Sequence, residues 1–264
     1  MTSPLLELDH VTKRFGRVVI ADDLSFAVGP GDLIGIVGPN GAGKTSLFGL
    51  ISGDLAPGGG EVRFAGRAIT RLDAAARCRL GIGRTYQVPR PFGDMTVFEN
   101  LLVAAQQGGG LRRRASYAAA EEALERTGMT AQANVAAERL GLLQRKRLEL
   151  ARALASGPTL LLLDEVAGGL TDPEVAQLVE IVRGVNAQGT AVIWIEHVVR
   201  ALTAAVSRLI CLAGGTFVGD GDPATVLAAA AVRELFLGTE VSAALTGGSL
   251  EAEVPASDGE RSRP

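Results

Sequence analysis

Hydrophobic and polar positions along the chain change their period several times, and each change predicts an element. Residues 5–15 (LLELDHVTKRF) alternate and then turn, and residues 18–28 (VVIADDLSFAV) follow with β-branched and apolar side chains, which predicts antiparallel strands. GDLIGIV, at 31–37, is a short and nearly continuous apolar run, as in a parallel strand buried on both faces. It runs into a glycine-rich loop, after which KTSLFGLISG reads as a helix closed by Gly53. From 92 to 156 the pattern is mostly helical, with TVFENLLVAAQQ and ASYAAAEEALERTG the clearest helices. Strand and helix then alternate: TLLLLDE, DPEVAQLVEIVRGVNAQG, TAVIWIEH and VVRALTAAV. RLICLAGGTFVGDG reads as a hairpin with a Gly-Gly turn. The periodicity therefore predicts an α/β core interrupted by a helical insertion.

Composition narrows the class. The chain has 264 residues, 47% apolar and 21% charged, enough to bury a sizeable core as a single α/β unit. A net charge of −3 argues against broad electrostatic binding to nucleic acid. Cys78 and Cys211 form no disulfide framework or metal-ligand spacing and read as reduced thiols. The opening residues meet charge before any long apolar run, so no signal peptide is expected, and the apolar runs are strand-sized, so none is expected to span a bilayer. Residues 247–264, rich in Ser, Gly, Pro and charge, are expected to be a disordered tail.

Three stretches carry candidate chemistry. GPNGAGKT, at 38–45, fits G-x-x-x-x-G-K-[ST] between a predicted strand and a predicted helix. Gly38, Gly41 and Gly43 would let backbone N–H groups of the loop, which also holds Asn40 as a nucleotide-binding position, curl around phosphate oxygens, aided by the helix N-terminus. Lys44 would reach the β- and γ-phosphates, the Thr45 hydroxyl would ligate Mg²⁺, and Ser46 could add a phosphate contact. LLLLDE ends a buried strand with two carboxylates, which are costly there unless a cation or a proton transfer uses them. Asp164 would hold the Mg²⁺ shell and Glu165 would orient or deprotonate the attacking water. His197 ends the strand VIWIE, where an imidazole can donate to a γ-phosphate oxygen or to the water. The other histidine, His10, reads as structural or surface, and Trp194 as core.

Taken together and in this order, these elements resemble the ATP-binding cassette (ABC) ATPases, the nucleotide-binding subunits of transporters. Phe15, in KRFG, matches an aromatic that stacks on adenine. Gln87, in RTYQVPRPF, resembles a glutamine that touches Mg²⁺ and the water and senses the membrane partner, with Pro89 and Pro91 holding the strip extended. DEVAGGLT resembles the loop through which two such subunits communicate, and His197 matches the switch histidine. GIGRTYQVPRPFGDMTVFENLLVAA, RLELARALASGPTLLLLDEVAGGL and GDPATVLAAAAVRELFLG are similar to ATPases of branched-chain amino acid importers. The resemblance implies a RecA-like P-loop core with an antiparallel β subdomain and a helical insertion subdomain. It places the ATPase domain at 1–246, with the helical subdomain at about 92–156, docked on transmembrane permease subunits at the cytoplasmic face of the membrane. ATP and Mg²⁺ are the implied cofactors, and membrane contact is expected only through partner subunits.

One segment departs from the family. A Leu-Ser-x-Gly-Gln signature is expected before the helix RLELARAL, and here Leu140, Gly141, Leu142, Leu143 and Gln144 stand in its places. Gly141 costs the helix cap only a few tenths of a kcal/mol, but the hydroxyl contact to the γ-phosphate is lost. One charge-assisted hydrogen bond is worth about 1.5–3 kcal/mol, roughly tenfold to hundredfold on the step that uses it. Because the family's signature faces the nucleotide of the other subunit, a heterodimer with a second ATPase is expected, with a homodimer the alternative. The competing readings are an ATP-binding subunit that no longer hydrolyses, a soluble ABC protein acting on ribosomes or chromosomes, and a P-loop kinase. The triple Arg112 to Arg114 reads as a solvated loop, the alternative being contact with lipid headgroups or a membrane subunit.

Overall fold

The computed structural model describes residues 3–236. In chain order, β1 (Leu6–Phe15) and β2 (Val18–Val28) form a hairpin, and β3 (Leu33–Val37) leads into α1 (Lys44–Ser52). Then come β4 (Gly59–Phe64), β5 (Arg67–Ala68), α2 (Ala74–Arg79) and β6 (Ile82–Arg84). A helical stretch holds α3 (Val97–Val103), a π-turn at Ala104–Gly108, α4 (Arg113–Thr127) and α5 (Leu142–Ala155). The chain continues through β7 (Leu160–Asp164), α6 (Asp172–Ala187), β8 (Ala191–Ile195) and α7 (Val199–Ala205). It finishes with β9 (Arg208–Ala213), β10 (Thr216–Gly221), α8 (Pro223–Ala228) and α9 (Ala230–Phe236).

Two sheets result. One is antiparallel, in the order β2-β1-β4-β5, and the other has six strands in the order β10-β9-β3-β8-β7-β6. In the second, β6, β7, β8, β3 and β9 run parallel and β10 returns antiparallel. The β9–β10 hairpin turns on Gly214 and Gly215, both at positive φ, as a Gly-Gly turn between twisted strands requires.

The near-continuous apolar strands are explained by burial on both faces. Successive residues of β3, β7 and β8 feed two different cores. Leu161, Leu163, Val192 and Trp194 join the core under α5, α6 and the helical stretch. Leu160, Leu162, Ile193 and Ile195 join α1 and the antiparallel sheet, whose inward residues include Leu6, Leu8, Phe26 and Val62. Phe26 and Phe217 tie the two sheets edge to face, with centroids 5.4 Å apart. Trp194 is core, as its setting predicted.

Several details differ from the sequence expectations. The segment 54–84, for which the pattern predicts no element, supplies β4, β5, α2 and β6. Arg112 is the N-cap of α4 and Arg113 and Arg114 its first residues, so the triple arginine opens a helix rather than lying in a loop, and all three are exposed. The tail expected at 247–264 lies outside the described residues. Among the described residues no helix is long and apolar enough to cross a membrane.

Candidate active site

The strand order places the candidate groups in a row. β3, β8, β7 and β6 are adjacent and parallel, so their carboxyl ends share one edge. From that edge come, in turn, the loop at 38–43 with Lys44 and Thr45, then His197, then Asp164 and Glu165, then Gln87. This is where open parallel sheets place their ligands.

The phosphate-loop candidate is shaped by close backbone approach. A Cβ on Gly38 would sit 2.0 Å from the Leu212 carbonyl oxygen, and one on Gly43 would sit 2.6 Å from that of Ile20. Gly43 has φ 100, in the left-handed region, immediately before α1. Lys44 is buried, and its Nζ donates to the carbonyls of Gly38 at 2.7 Å and Pro39 at 3.0 Å. Burial pushes its pKa down, against the charges of Glu165 and Asp164. Asn40, Gly41, Gly43, Lys44, Thr45 and Ser46 line an open cavity of about 370 Å³ together with Gln87, Glu165 and Ile20. Ile20 carries no motif signal. Phe15 is 53% exposed with Lys13 Nζ 5.1 Å from its ring centroid, and it is not among the residues that line the cavity.

The carboxylates follow β7. Asp164 is buried, and Arg84 Nη2 donates to its Oδ2 at 3.2 Å while Oδ1 has no partner. Burial raises the Asp164 pKa, and the Arg84 guanidinium beside it opposes that shift. Arg84 also donates to Asp54 and Ser52 at the end of α1 and lies over the rings of Phe48 and Tyr86. Glu165 adopts φ 49, a left-handed conformation costing about 1–2 kcal/mol outside glycine. Its carboxylate is gripped from two sides: Gln87 Nε2 donates to Oε2, and His197 Nε2 lies 2.6 Å from Oε1. Gln87 and His197, distant in sequence, thus meet on one carboxylate beside the loop.

A layer of groups behind Glu165 carried no motif. Its N–H donates to the Ile195 carbonyl at 2.9 Å. Its carbonyl accepts from Lys146 Nζ at 3.2 Å, and the same ammonium donates to the Gln87 carbonyl at 2.9 Å. Glu196, buried beside His197, accepts from the Ala167 N–H at 2.6 Å and from Trp194 Nε1 at 3.3 Å. Desolvation pushes the Glu196 carboxyl up to about 7, against those hydrogen bonds.

Gly141 is the N-cap of α5, with φ −68 and ψ 172, and Gln144 Oε1 accepts from its N–H at 3.3 Å. Half of a capping box remains, because glycine has no side chain to return the bond. Leu143 is half-buried and Leu142 exposed, and Gly141, Leu143 and Gln144 are not among the residues lining the cavity of this chain.

The donor set suits a magnesium-bound nucleoside triphosphate. The unpaired Asp164 Oδ1 is a buried acceptor that a cation's hydration shell would satisfy. Among the described residues no group of three or more His, Cys, Asp or Glu side chains could hold a metal. A cation here would depend on the phosphates for several ligands, as Mg²⁺ commonly does.

Comparison with known proteins points the same way. A family model described as "ABC transporter" matches residues 21–168. The high-affinity branched-chain amino acid transport ATP-binding protein LivG of Escherichia coli K12 is 34% identical over 238 residues, covering 84% of this chain and 93% of its own. BraF of Pseudomonas aeruginosa PAO1, of the same description, is 32% identical over 253 residues, covering 90% and 99%. The ribose import ATP-binding protein RbsA 1 of Rubrobacter xylanophilus is 36% identical, over 82% of this chain and 44% of its own length. Among solved structures, an ATP-binding cassette of an ABC transporter in its ADP conformation superposes with a TM-score of 0.83 at 28% identity, covering 90% of this chain and 100% of that one.

Proposed function

This chain belongs to the ABC transporter family as an ATP-binding subunit related to the branched-chain amino acid transport ATPases, and on that premise we propose that it powers import of branched-chain amino acids or similar small polar solutes. The observation that carries the catalytic part is the convergence of Gln87 and His197 on the two oxygens of Glu165 beside the Lys44 loop. The cargo rests on likeness alone. An amino acid transport subunit and a ribose import subunit are about equally identical to this chain, so the solute is selected by other subunits.

In the proposed mechanism, Phe15 stacks on adenine and the loop amides of 38–43, with Lys44 and Ser46, hold the phosphates of ATP. Lys44 leaves the Gly38 and Pro39 carbonyls to do so. Thr45, Gln87 and Asp164 would hold Mg²⁺, which when bound would supply positive charge to offset that building on the transferring phosphoryl group. Glu165 takes the proton of the attacking water, and His197 and Gln87 fix its carboxylate in line. Two subunits close over two nucleotides, and hydrolysis reopens them.

The chain works with transmembrane permease subunits at the cytoplasmic face. Supporting this, Tyr86, Val88 and Phe92 form an exposed apolar strip around Gln87. Beside it lies a cavity of about 230 Å³ lined by Asp54, Arg84, Tyr86, Glu149 and Arg152. A docked segment there would touch Arg84 and so bear on Asp164. Gly141 and Leu143 weaken the site of the partner rather than that of this chain, which favours a heterodimer with an ATPase whose signature is intact.

The test is ATP hydrolysis by the purified chain, alone and with candidate partner ATPases, beside Glu165→Gln. Activity seen only with a partner and abolished by Glu165→Gln is the expected result. Robust activity of the chain alone would overturn the heterodimer, and activity surviving Glu165→Gln would overturn the assignment of Glu165.

A further inference from the structure

Lys146 is 4% exposed, early in α5, within a run of charge (QRKR) that looks solvated in sequence. Its ammonium has no carboxylate partner within hydrogen-bond reach among the described residues. It donates to two main-chain carbonyls, of Gln87 at 2.9 Å and of Glu165 at 3.2 Å. The charges of Glu196, Glu165 and Glu149 favour the ammonium against its desolvation, but the hydrogen bonds it makes go to neutral main-chain carbonyls. What it accomplishes is geometric. Gln87 and Glu165 already meet through their side chains, and Lys146 joins the same two residues through their backbones.

Glu165 needs such support. At φ 49 it is in a conformation that non-glycine residues keep only when their surroundings over-determine it. Its N–H is tied to Ile195, and two residues on the Ala167 N–H is tied to Glu196. Lys146 supplies the strongest hold on its carbonyl, the other being the Gly168 N–H at 3.4 Å. The same ammonium roots both residues in α5, whose N-cap is Gly141.

We propose that Lys146 is a positioning residue for ATP hydrolysis, holding the backbones of Glu165 and Gln87 in the geometry that aims the Glu165 carboxylate at the attacking water and coupling both to the first turns of α5. The inference rests on the assignment of Glu165 as the water-activating group. Movement of the signature end of α5 would then be felt at the catalytic carboxylate of the same chain.

The experiment uses the full chain in whichever preparation hydrolyses ATP, alone or with its partner. Lys146→Met keeps length and removes both donors, and Lys146→Gln keeps an amide donor. Melting temperature, the Kd of a fluorescent ATP analogue, KM and kcat are measured for each, with Glu165→Gln as control. The expected result for Lys146→Met is a melting temperature lower by only a few degrees, Kd and KM within about twofold, and kcat lower by roughly 10–100-fold even well below the melting temperature. Lys146→Gln should recover part of the lost kcat at the same Kd. Wild-type kcat in Lys146→Met would overturn the inference alone. A chain that unfolds on this change, or a kcat loss that merely tracks a lower melting temperature, would also overturn it by making Lys146 structural. Hydrolysis surviving Glu165→Gln would remove the assignment of Glu165 on which the inference rests.

Discussion

Glu196 should make the protein lose stability as pH rises toward neutrality. Its carboxyl is 2% exposed, and burial pushes it from an ordinary 4.5 to about 7 despite donors from Ala167, Trp194 and the His197 backbone. The nearby Glu165 charge adds to the upward shift, while the Lys146 ammonium faces it from α5. Between those two pKa values the folded chain keeps a proton that the unfolded chain has released. Folding therefore takes up a proton, and each step up in pH works against it. The contribution is fully present below pH 4.5 and is lost as pH rises through 7. A difference of about 2.5 units corresponds to roughly 3 kcal/mol, or roughly 6–12 °C in melting temperature for a chain of this size. Glu196→Gln imitates the protonated form and keeps an oxygen for Ala167. Glu149 and Asp164, whose pKa values burial also raises, are present in both proteins and cancel in the comparison. Melting curves without nucleotide, from about pH 4.5 to 8.5, should show the two proteins alike at the acid end and the variant more stable at the alkaline end. A difference that stays constant with pH would refute the reasoning, because it would mean that Glu196 ionises alike in both states.

Other expectations follow from single contacts. Gly141→Ser has open space for its Cβ and a backbone already at φ −68 and ψ 172. It should raise the melting temperature only slightly, by a few tenths of a kcal/mol, yet increase hydrolysis by the chain alone roughly tenfold or more; an unchanged rate would show that the hydroxyl contact is dispensable. Gly38→Ala drives a Cβ to 2.0 Å from the Leu212 carbonyl oxygen, so fluorescent-nucleotide titration should show binding lost and calorimetry a fall of about 1–3 kcal/mol or more. Arg77 is buried and donates to the carbonyls of Leu50, Ile51, Thr70 and Leu72, closing the end of α1. Arg77→Met leaves those acceptors unpaired and should cost about 1–3 kcal/mol in a urea titration, with weaker nucleotide binding as the loop helix loosens.

Legibility in the sequence followed how local each signal was. The loop at 38–45 was readable because its glycines, lysine and threonine are contiguous and sit between a strand and a helix. Asp164, Glu165 and His197 were readable because each ends an apolar strand, and Gln87 because its extended strip resembles a family motif. The residues that were missed act across the fold. Lys146 and Glu149 are three apart and turn inward together, but in RLGLLQRKRLELARAL they look like part of a solvated face. Arg77 and Arg84 sit in a stretch of short strands and glycine where periodicity has too few residues to register. Glu196 was hidden by its neighbour, since a carboxylate at a strand end reads as solvated until its partners at Ala167 and Trp194 are seen. The helix at 113–127 begins earlier than its apolar pattern does, because arginines there lie on the exposed side.

The strand order explains why these groups can cooperate. β8 lies between β3 and β7. The loop that would hold phosphate and the carboxylate that would activate water are therefore two strand spacings apart, roughly 10 Å, where direct neighbours would be separated by about 5 Å. About 5 Å leaves no room for a phosphoryl group and a water in line, whereas roughly 10 Å does. The inserted strand also delivers His197 at the middle of that gap, within 2.6 Å of Glu165. Gln87 arrives from β6 on the far side of β7, so Glu165 is held by residues from both neighbouring strands. Lys146 then reaches this edge from α5, a helix packed on the sheet rather than a strand within it. The grips of His197, Gln87 and Lys146 on Glu165 consequently come from three different elements. Displacement of the helical stretch can release the Lys146 restraint while the Ile195 backbone bond in the sheet persists, which would let one cassette keep its nucleotide bound while its water-activating carboxylate is turned on or off.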